Sequence, residues 1–275
     1  MTVSQTLPDT LQLLAELTTL KVSVDDYVAT VTLTRPDKRN AFNDEVIAEL
    51  NQAFTQLGSS EKVRVIVLAA EGKAFCAGAD LNWMRAMADY SREENLADAD
   101  KLAQMLSTLY RCPKPTIAAI QGDVYAGGIG LISACDIAIA VDSANFCLSE
   151  VRLGLAPATI SPYVIRAMGA RAAHRYLLTA EVFDAVEAQR IGLIHESVAA
   201  AELDAKVASV AKKLRNNSPN AVKECKQLVQ YVAEETIDEA LITQTVKGIA
   251  DIRASDEGKE GVQSFLQKRK PNWLN

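Results

Sequence analysis

The sequence is poor in histidine: His174 and His195 are the two present among 275 residues. So few imidazoles argue against a histidine-based metal centre and against a Ser-His-Asp triad. His195-Glu196 does not extend into an HExxH motif, and the sequence contains neither GxSxG nor GxxxxGK[ST]. We therefore expect no metal site, and we expect ordinary structural or surface roles for both histidines.

Long apolar runs and paired cysteines are also lacking. No uninterrupted apolar run reaches the roughly 18–20 residues of a membrane-spanning helix. The first 20 residues carry Asp9 and Glu16 and have no basic stretch before an apolar one, which is unlike a signal peptide. The five cysteines show no CxxC spacing, which predicts free thiols in a reducing compartment. We expect a cytoplasmic protein without a membrane partner. The cysteines are Cys76, Cys112, Cys135, Cys147 and Cys225.

The chain has no excess of positive charge, because its 29 Lys and Arg residues and 35 Asp and Glu residues give a net charge of −6. This balance argues against nucleic acid as a partner, although a small anion needs only a few local donors. Hydrophobic residues make up 49% of the chain, enough for a full core. The length suits one large domain or two modest ones.

Apolar patterning predicts alternating strands and helices, followed by helices alone. We expect a β-hairpin over 22–33, helices over 43–57 and 81–111, and buried strands over 63–70, 116–120 and 137–141. Residues 1–18 resemble a weakly amphipathic lead-in. This alternation is typical of an α/β fold. We divide the chain into an α/β core over 1–200 and a helical region over 201–275.

Two segments rich in small residues follow predicted strands. The first loop segment is residues 73–81 (KAFCAGADL), and the second loop segment is residues 121–131 (QGDVYAGGIGL). Backbone N–H groups are unpaired where a helix begins, and small residues let a ligand approach them. If the two segments meet, two N–H donors could hold one carbonyl oxygen as an oxyanion hole. Tight helix–sheet packing is the alternative explanation for each segment alone.

In this order, several short stretches resemble the enoyl-CoA hydratase/isomerase (crotonase) superfamily. They are Arg35-Pro36, Asn40-Ala41, FCAGAD (75–80), PTIAAI (115–120), Gly127-Gly128, ACDI (134–137), SEVRLG (149–154) and FLQKRK (265–270). The resemblance implies a spiral of ββα units with a C-terminal helical trimerisation region, assembled as trimers or dimers of trimers. It implies an acyl-CoA thioester substrate and no cofactor besides the CoA of that substrate.

The resemblance also assigns site residues. It implies that the N–H groups of Ala79 and Gly127 hold the thioester oxygen. It implies that Lys268 reaches CoA phosphates, either in its own subunit or in a neighbouring one. The remaining residues that it places along CoA are Lys38, Arg39, Ala41, Ala77, Asp80, Leu81 and Asn82.

The chain departs from the hydratases of this family at one catalytic position. Those enzymes carry two glutamates; the second matches Glu150, whereas Gly130 stands where the first is expected. Three explanations stay open: a hydratase in which Glu150 works with a different group or with an unassisted water, an isomerase that moves a proton with one carboxylate, or a non-catalytic acyl-CoA binder. Asp123 is a weaker candidate for the missing acid, since an Asp in such a turn commonly caps the loop. Restoring a glutamate at position 130 is a test of the site: a rise in crotonyl-CoA hydration would show that it is otherwise intact for water addition.

A finer resemblance favours the hydratase. Residues 128–133 and 148–162 are similar to bacterial methylglutaconyl-CoA hydratases, in which Gly also replaces the first glutamate. The substrates of those enzymes bring a carboxylate of their own, and Arg85, Arg152 and Arg166 are candidate partners for it. Trp83, Met84 and Met87 are expected either to line the acyl pocket or to pack in the core.

Overall fold

The structure is a computed structural model and describes residues 13–274. The first 12 residues of the expected lead-in therefore lie outside the described part, and Leu13–Glu16 form a short 3-10 turn. The described residues form ten strands. These are β1 (Leu20–Asp25), β2 (Val28–Leu33), β3 (Val65–Ala70), β4 (Ala74–Cys76), β5 (Thr116–Ile120), β6 (Asp123–Tyr125), β7 (Ile137–Val141), β8 (Asn145–Cys147), β9 (Phe183–Asp184) and β10 (Glu196–Val198).

The strands form two sheets. The larger sheet has the order β1-β2-β3-β5-β7-β10, and the smaller has the order β4-β6-β8-β9. Strands β1 and β2 form the predicted hairpin, and β8 and β9 are also antiparallel, whereas the other neighbours run parallel. The central strands are β-branched and buried on both faces, as expected for parallel strands covered by helices.

Ten α-helices connect and cover the sheets in the described part. They are α1 (Asp44–Ser59), α2 (Leu81–Met87), α3 (Arg92–Tyr110), α4 (Gly127–Ala134), α5 (Ser161–Thr179), α6 (Ala185–Arg190), α7 (Leu203–Asn216), α8 (Pro219–Val232), α9 (Glu239–Ala254) and α10 (Asp256–Leu266). The Asn43 side chain caps α1 by accepting the Val46 N–H. The helical stretch predicted over 81–111 is two helices, because Ser91 and Glu94 form a capping box that begins α3.

The order of elements repeats three times in the core. A strand of the larger sheet is followed by a short strand of the smaller sheet and then by helix: β3-β4-α2, β5-β6-α4 and β7-β8-α5. This arrangement confirms the expected ββα units. Each loop segment follows a strand of the larger sheet and leads into a helix, but each also contains a three-residue strand that the sequence did not predict. Strands this short give too few positions to show an alternating pattern.

The C-terminal region is helical, as predicted. Leu203, Val207 and Ala211 of α7 are buried in the same core cluster as the sheet residues. Lys226 of α8 forms an ion pair of 2.8 Å with Asp136, next to β7. The division at residue 200 stays a prediction. Between residues 13 and 274, every helix is too short or too polar to cross a lipid bilayer.

Candidate active site

The first loop segment is held against the chain before α1 by a short parallel bridge. The Phe42 N–H donates to the Gly78 carbonyl (2.6 Å), and the Asp80 N–H donates to the Phe42 carbonyl (2.7 Å). In such a bridge the residue between the two partners directs its own N–H away. The Ala79 N–H is therefore left without a protein acceptor among residues 13–274. A backbone donor is thus presented at the surface of this loop.

Asn40 fixes the backbone of the residues that precede the bridge. Its backbone is left-handed (φ 53°), and its buried side chain accepts the Arg35 N–H at 2.9 Å. The Asn40 amide donates to the carbonyls of Glu71 (2.8 Å) and Ala74 (2.9 Å). These bonds join the turn after β2 to the start of the first loop segment. Asn40 therefore has a structural role in this turn.

Each carboxylate oxygen of Asp80 accepts a hydrogen bond from the protein. Its carboxylate pairs with the Arg35 guanidinium at 2.9 Å and accepts the Asn82 N–H at 2.8 Å, which caps α2. Burial alone would raise the pKa of Asp80, but the Asn82 N–H and Arg35 together lower it. This carboxylate stays ionised and holds the start of α2 against the turn after β2.

The second loop segment meets the first at its glycines. Ala126 has a strained left-handed backbone (φ 48°), and its N–H donates to the Cys147 carbonyl at 2.8 Å. A Cβ added at Gly78 would lie 2.9 Å from Ala126 Cβ, and one added at Gly127 would lie 2.9 Å from the Phe42 ring. The two segments are therefore in contact. The Gly127 N–H begins α4 and donates to no acceptor in the described part of the chain.

Glu150 emerges at the same edge of the smaller sheet. Strands β6 and β8 are parallel, with Tyr125 opposite Cys147, so the residues that follow each strand lie side by side. Glu150 begins a 3-10 turn (Glu150–Leu153) three residues after the end of β8. Its Oε2 is buried and has no hydrogen-bond partner among the residues described. Burial raises the pKa of this carboxyl.

A cleft of about 560 Å³ lies beside the first loop segment. Its lining includes every residue that the resemblance places along CoA, except Gly127 and Lys268. Lys268 follows α10 and does not line this cleft within the subunit. The lining residues are Asp37, Lys38, Arg39, Ala41, Ala77, Ala79, Asp80, Leu81, Asn82 and Arg85. Asp37 was missed by sequence reasoning, since nothing in its local pattern separates it from an ordinary surface Asp.

The structure also separates the candidate arginines. Arg85 lines the cleft and donates to Asn82 Oδ1 at 2.6 Å. Arg152 donates to the Ala180 carbonyl, and Arg166 pairs with Glu234 at 3.0 Å. Arg85 is therefore the candidate among the three that lies at the cleft.

Other candidates have structural contacts. Asp123 Oδ1 accepts the Asn145 N–H at 2.9 Å, which ties β6 to β8. The Trp83 indole donates to Asp98 at 3.1 Å and packs against the core. His195 Nδ1 accepts the Ala138 N–H at 3.1 Å, and His174 Nδ1 lies 2.9 Å from the Ala170 carbonyl. Within residues 13–274, no three His, Cys, Asp or Glu side chains are grouped to hold a metal ion.

The repeated ββα units, the paired loop segments and the buried acid define a single class of protein. A family model described as enoyl-CoA hydratase/isomerase matches residues 24–275. The chain belongs to this family.

Individual relatives agree with this assignment. The crystal structure of an enoyl-CoA hydratase from Shewanella pealeana superposes with a TM-score of 0.94 and 45% identity, covering 97% of this chain and 100% of that one. An enoyl-CoA hydratase of Alternaria alternata is 34% identical, over 87% of this chain and 78% of its own length. The mevalonyl-coenzyme A hydratase of Aspergillus fumigatus is 32% identical, over 90% of this chain and 88% of its own.

Proposed function

We propose that the protein adds water across the α,β double bond of an enoyl-CoA thioester. The observation that carries this proposal is the Glu150 carboxyl, which has a buried, unpartnered Oε2 and a raised pKa at the edge where both loop segments end. Burying a carboxyl oxygen without a hydrogen bond lowers the stability of the fold, because no partner offsets the loss of its hydration. A purely structural role does not account for such a group. It is suited to taking and returning a proton.

In this mechanism the N–H groups of Ala79 and Gly127 donate to the thioester oxygen. The Glu150 carboxylate removes a proton from water, and the resulting hydroxide bonds to the β-carbon. The electron pair of the double bond moves toward the thioester carbonyl, and the two N–H groups stabilise the enolate. Glu150 then delivers its proton to the α-carbon. The product gains the elements of water, and Glu150 returns to its ionised form without a further cofactor.

The cleft supports the binding half of the proposal. Lys38 and Arg39 supply positive charge at its lining, which suits the phosphates of CoA, and Arg85 supplies charge for the carboxylate of the acyl group. Our preferred acyl group is branched and carboxylated, of the methylglutaconyl type. The relative named for mevalonyl-coenzyme A supports a branched acyl group, since the mevalonyl group carries a methyl branch.

An isomerase is the second candidate function. It is favoured by the lack of an acidic side chain at Gly130, because moving a proton between two carbons needs one carboxylate.

One experiment separates the candidate functions. The protein is incubated with crotonyl-CoA, 3-methylglutaconyl-CoA and a 3-enoyl-CoA, and the absorbance of the conjugated enoyl thioester is followed. A hydratase removes this absorbance from the first two esters, with 3-methylglutaconyl-CoA preferred. An isomerase generates it from the third, and a non-catalytic binder leaves all three unchanged. Either of the last two results would overturn the hydratase assignment.

We also propose a trimer, or a dimer of trimers, formed through the C-terminal helices. Helix α9 exposes Ile242, Val246 and Ile249 at i, i+4 and i+7, so that one face is apolar. Phe265 at the end of α10 is 82% exposed, next to Lys268. Light scattering should give three or six times the 29.7 kDa chain mass, and Val246→Glu should lower it. A monomer at micromolar concentration would contradict the proposal.

The free thiols fit a cytoplasmic location, which we also propose.

A further inference from the structure

Gly130 lies in α4, one turn after Gly127, and it is packed directly against Ile160. A Cβ added at Gly130 would collide with Ile160 Cγ2 and would lie 2.7 Å from Ile160 Cβ. Real Cβ atoms do not approach other atoms this closely, so a side chain at position 130 requires Ile160 to move. Ile160 is 3% exposed and belongs to the core cluster, which leaves it little room to do so.

Ile160 and Glu150 belong to one connection, residues 148–160, between β8 and α5. Glu150 stands near its start, and Ile160 ends it at the N-cap position of α5. Internal bonds brace this connection: the Leu155 N–H donates to the Glu150 carbonyl (3.1 Å), and the Ser161 N–H donates to the Pro157 carbonyl (3.0 Å). The segment that supplies the acid therefore also supplies the hydrocarbon that covers Gly130.

We propose that Gly130 and Ile160 are a matched pair that restricts this site to one carboxylate. The proposal rests on the proposed acid–base role of Glu150. Ile160 fills the space that an acidic side chain at 130 would need, so Glu150 acts alone. Restoring a glutamate at position 130 is therefore not a sufficient test of the site, because Gly130→Glu by itself damages the packing against Ile160.

The geometry names the compensating change. Ile160→Ala would keep the Ile160 Cβ, which lies 2.7 Å from a Cβ added at position 130. With Ile160→Gly, the nearest atom of residue 160 is its Cα, at 3.8 Å from that added Cβ, which is an ordinary contact. Glycine is acceptable at a helix N-cap, which is the position of Ile160. The double variant Gly130→Glu/Ile160→Gly thus exchanges hydrocarbon for a carboxylate within the same space.

The test is a cycle of wild type, Gly130→Glu, Ile160→Gly and the double variant, with Gly130→Gln/Ile160→Gly as a control of equal size without the acid. Thermal unfolding measures the packing. We expect Gly130→Glu to lower the Tm of wild type by roughly 5 °C. When the same change is made in the Ile160→Gly protein, we expect a much smaller decrease in Tm. Equal Tm changes in both backgrounds would overturn the pairing. This arm depends on packing alone, so it stands even if the protein does not hydrate enoyl-CoA.

The second measurement is the pH profile of kcat/KM for crotonyl-CoA hydration. We expect the double variant to exceed its Gln control by about 10²-fold and to show a second ionisation that the control lacks. Equal rates and a single ionisation in both would overturn the claim that Ile160 limits the number of acids. Wild type that hydrates no ester in the preceding assay would instead contradict the proposed function.

Discussion

Two carboxylates of the candidate active site, Asp80 and Glu150, differ in their hydrogen-bond partners and in the direction in which their pKa is changed. Asp80 is paired with Arg35 and accepts the Asn82 N–H, and these donors lower its pKa. Glu150 has a buried oxygen without a partner in the described residues, and burial raises its pKa. The family motifs include both residues, so sequence similarity alone does not distinguish their roles. Their hydrogen bonds do: protein donors hold both oxygens of Asp80, whereas one buried oxygen of Glu150 accepts no hydrogen bond from residues 13–274.

The largest expected effect comes from removing the carboxyl that we propose as the acid and base. Glu150→Gln keeps the size and shape of the side chain and should lower hydration turnover by about 10²–10⁴-fold. Stability at neutral pH should not fall, because the substitution replaces a poorly solvated charge with a neutral amide. Steady-state kinetics and urea unfolding measure the two effects. Near-normal hydration by this variant would remove Glu150 from the mechanism.

Asp80→Asn is the matched change at the other carboxylate, and it should show the reverse pattern. Asparagine can still cap α2, but the Arg35 guanidinium loses its ionic partner. We expect a loss of roughly 2 kcal/mol in the free energy of unfolding. Turnover at saturating substrate should fall far less than in Glu150→Gln. If Asp80→Asn lowered kcat as strongly as Glu150→Gln while remaining folded, the contrast between the two carboxylates would be wrong.

The sequence predicted the long, strongly patterned elements well. Strands Thr116–Ile120 and Ile137–Val141 were placed to the residue, and the hairpin and α1 to within a few residues. These segments carry enough apolar positions for a buried face to be evident. The smaller sheet was missed because its strands are two or three residues long, and tertiary pairing rather than local pattern makes them extended.

For the candidate site too, the sequence did not predict the features that depend on tertiary contacts. The resemblance supplied the identities of Ala79, Gly127 and Glu150, but not the saturation of Asp80 or the unpartnered oxygen of Glu150. The packing of Ile160 against Gly130, which leaves no room for a Cβ at position 130, joins residues 30 positions apart in the sequence, and no local motif encodes it. The contact of Lys268 with CoA phosphates stays a prediction, whether in its own subunit or in a neighbouring one. What the sequence could not provide in each case was the distance between side chains.

A third carboxylate, that of the proposed substrate, extends the comparison to Arg85. Arg85→Ala should raise the KM for 3-methylglutaconyl-CoA about tenfold more than the KM for crotonyl-CoA, since a charge-assisted bond is worth about 1.5–3 kcal/mol. Arg166→Ala is the matched control, because Arg166 pairs with Glu234 away from this cleft. Equal changes in KM for both esters would show that Arg85 contacts the CoA portion or nothing at all.

The smallest effect is the pH dependence of stability, where the two carboxylates should differ in sign. At pH values below the ordinary glutamate pKa of 4.5, Glu150 is protonated in both the folded and the unfolded chain. As pH rises through the raised pKa of the folded state, the unfolded state holds fewer protons and wild type loses stability. Glu150→Gln escapes this loss, so its stability relative to wild type should increase over this window and then level off.

For Asp80 the sign is reversed, because its pKa is lowered from 3.8. Its ionic contribution is present above pH 3.8 and is lost as pH falls through the lowered pKa of the folded state. The deficit of Asp80→Asn relative to wild type should therefore grow as pH rises toward 3.8, whereas Glu150→Gln gains over its own, higher window. Urea unfolding from acidic to neutral pH compares the three proteins directly. Parallel curves for the two variants would mean that Glu150 is paired in solution as Asp80 is, and the acid–base role would then lose its physical basis.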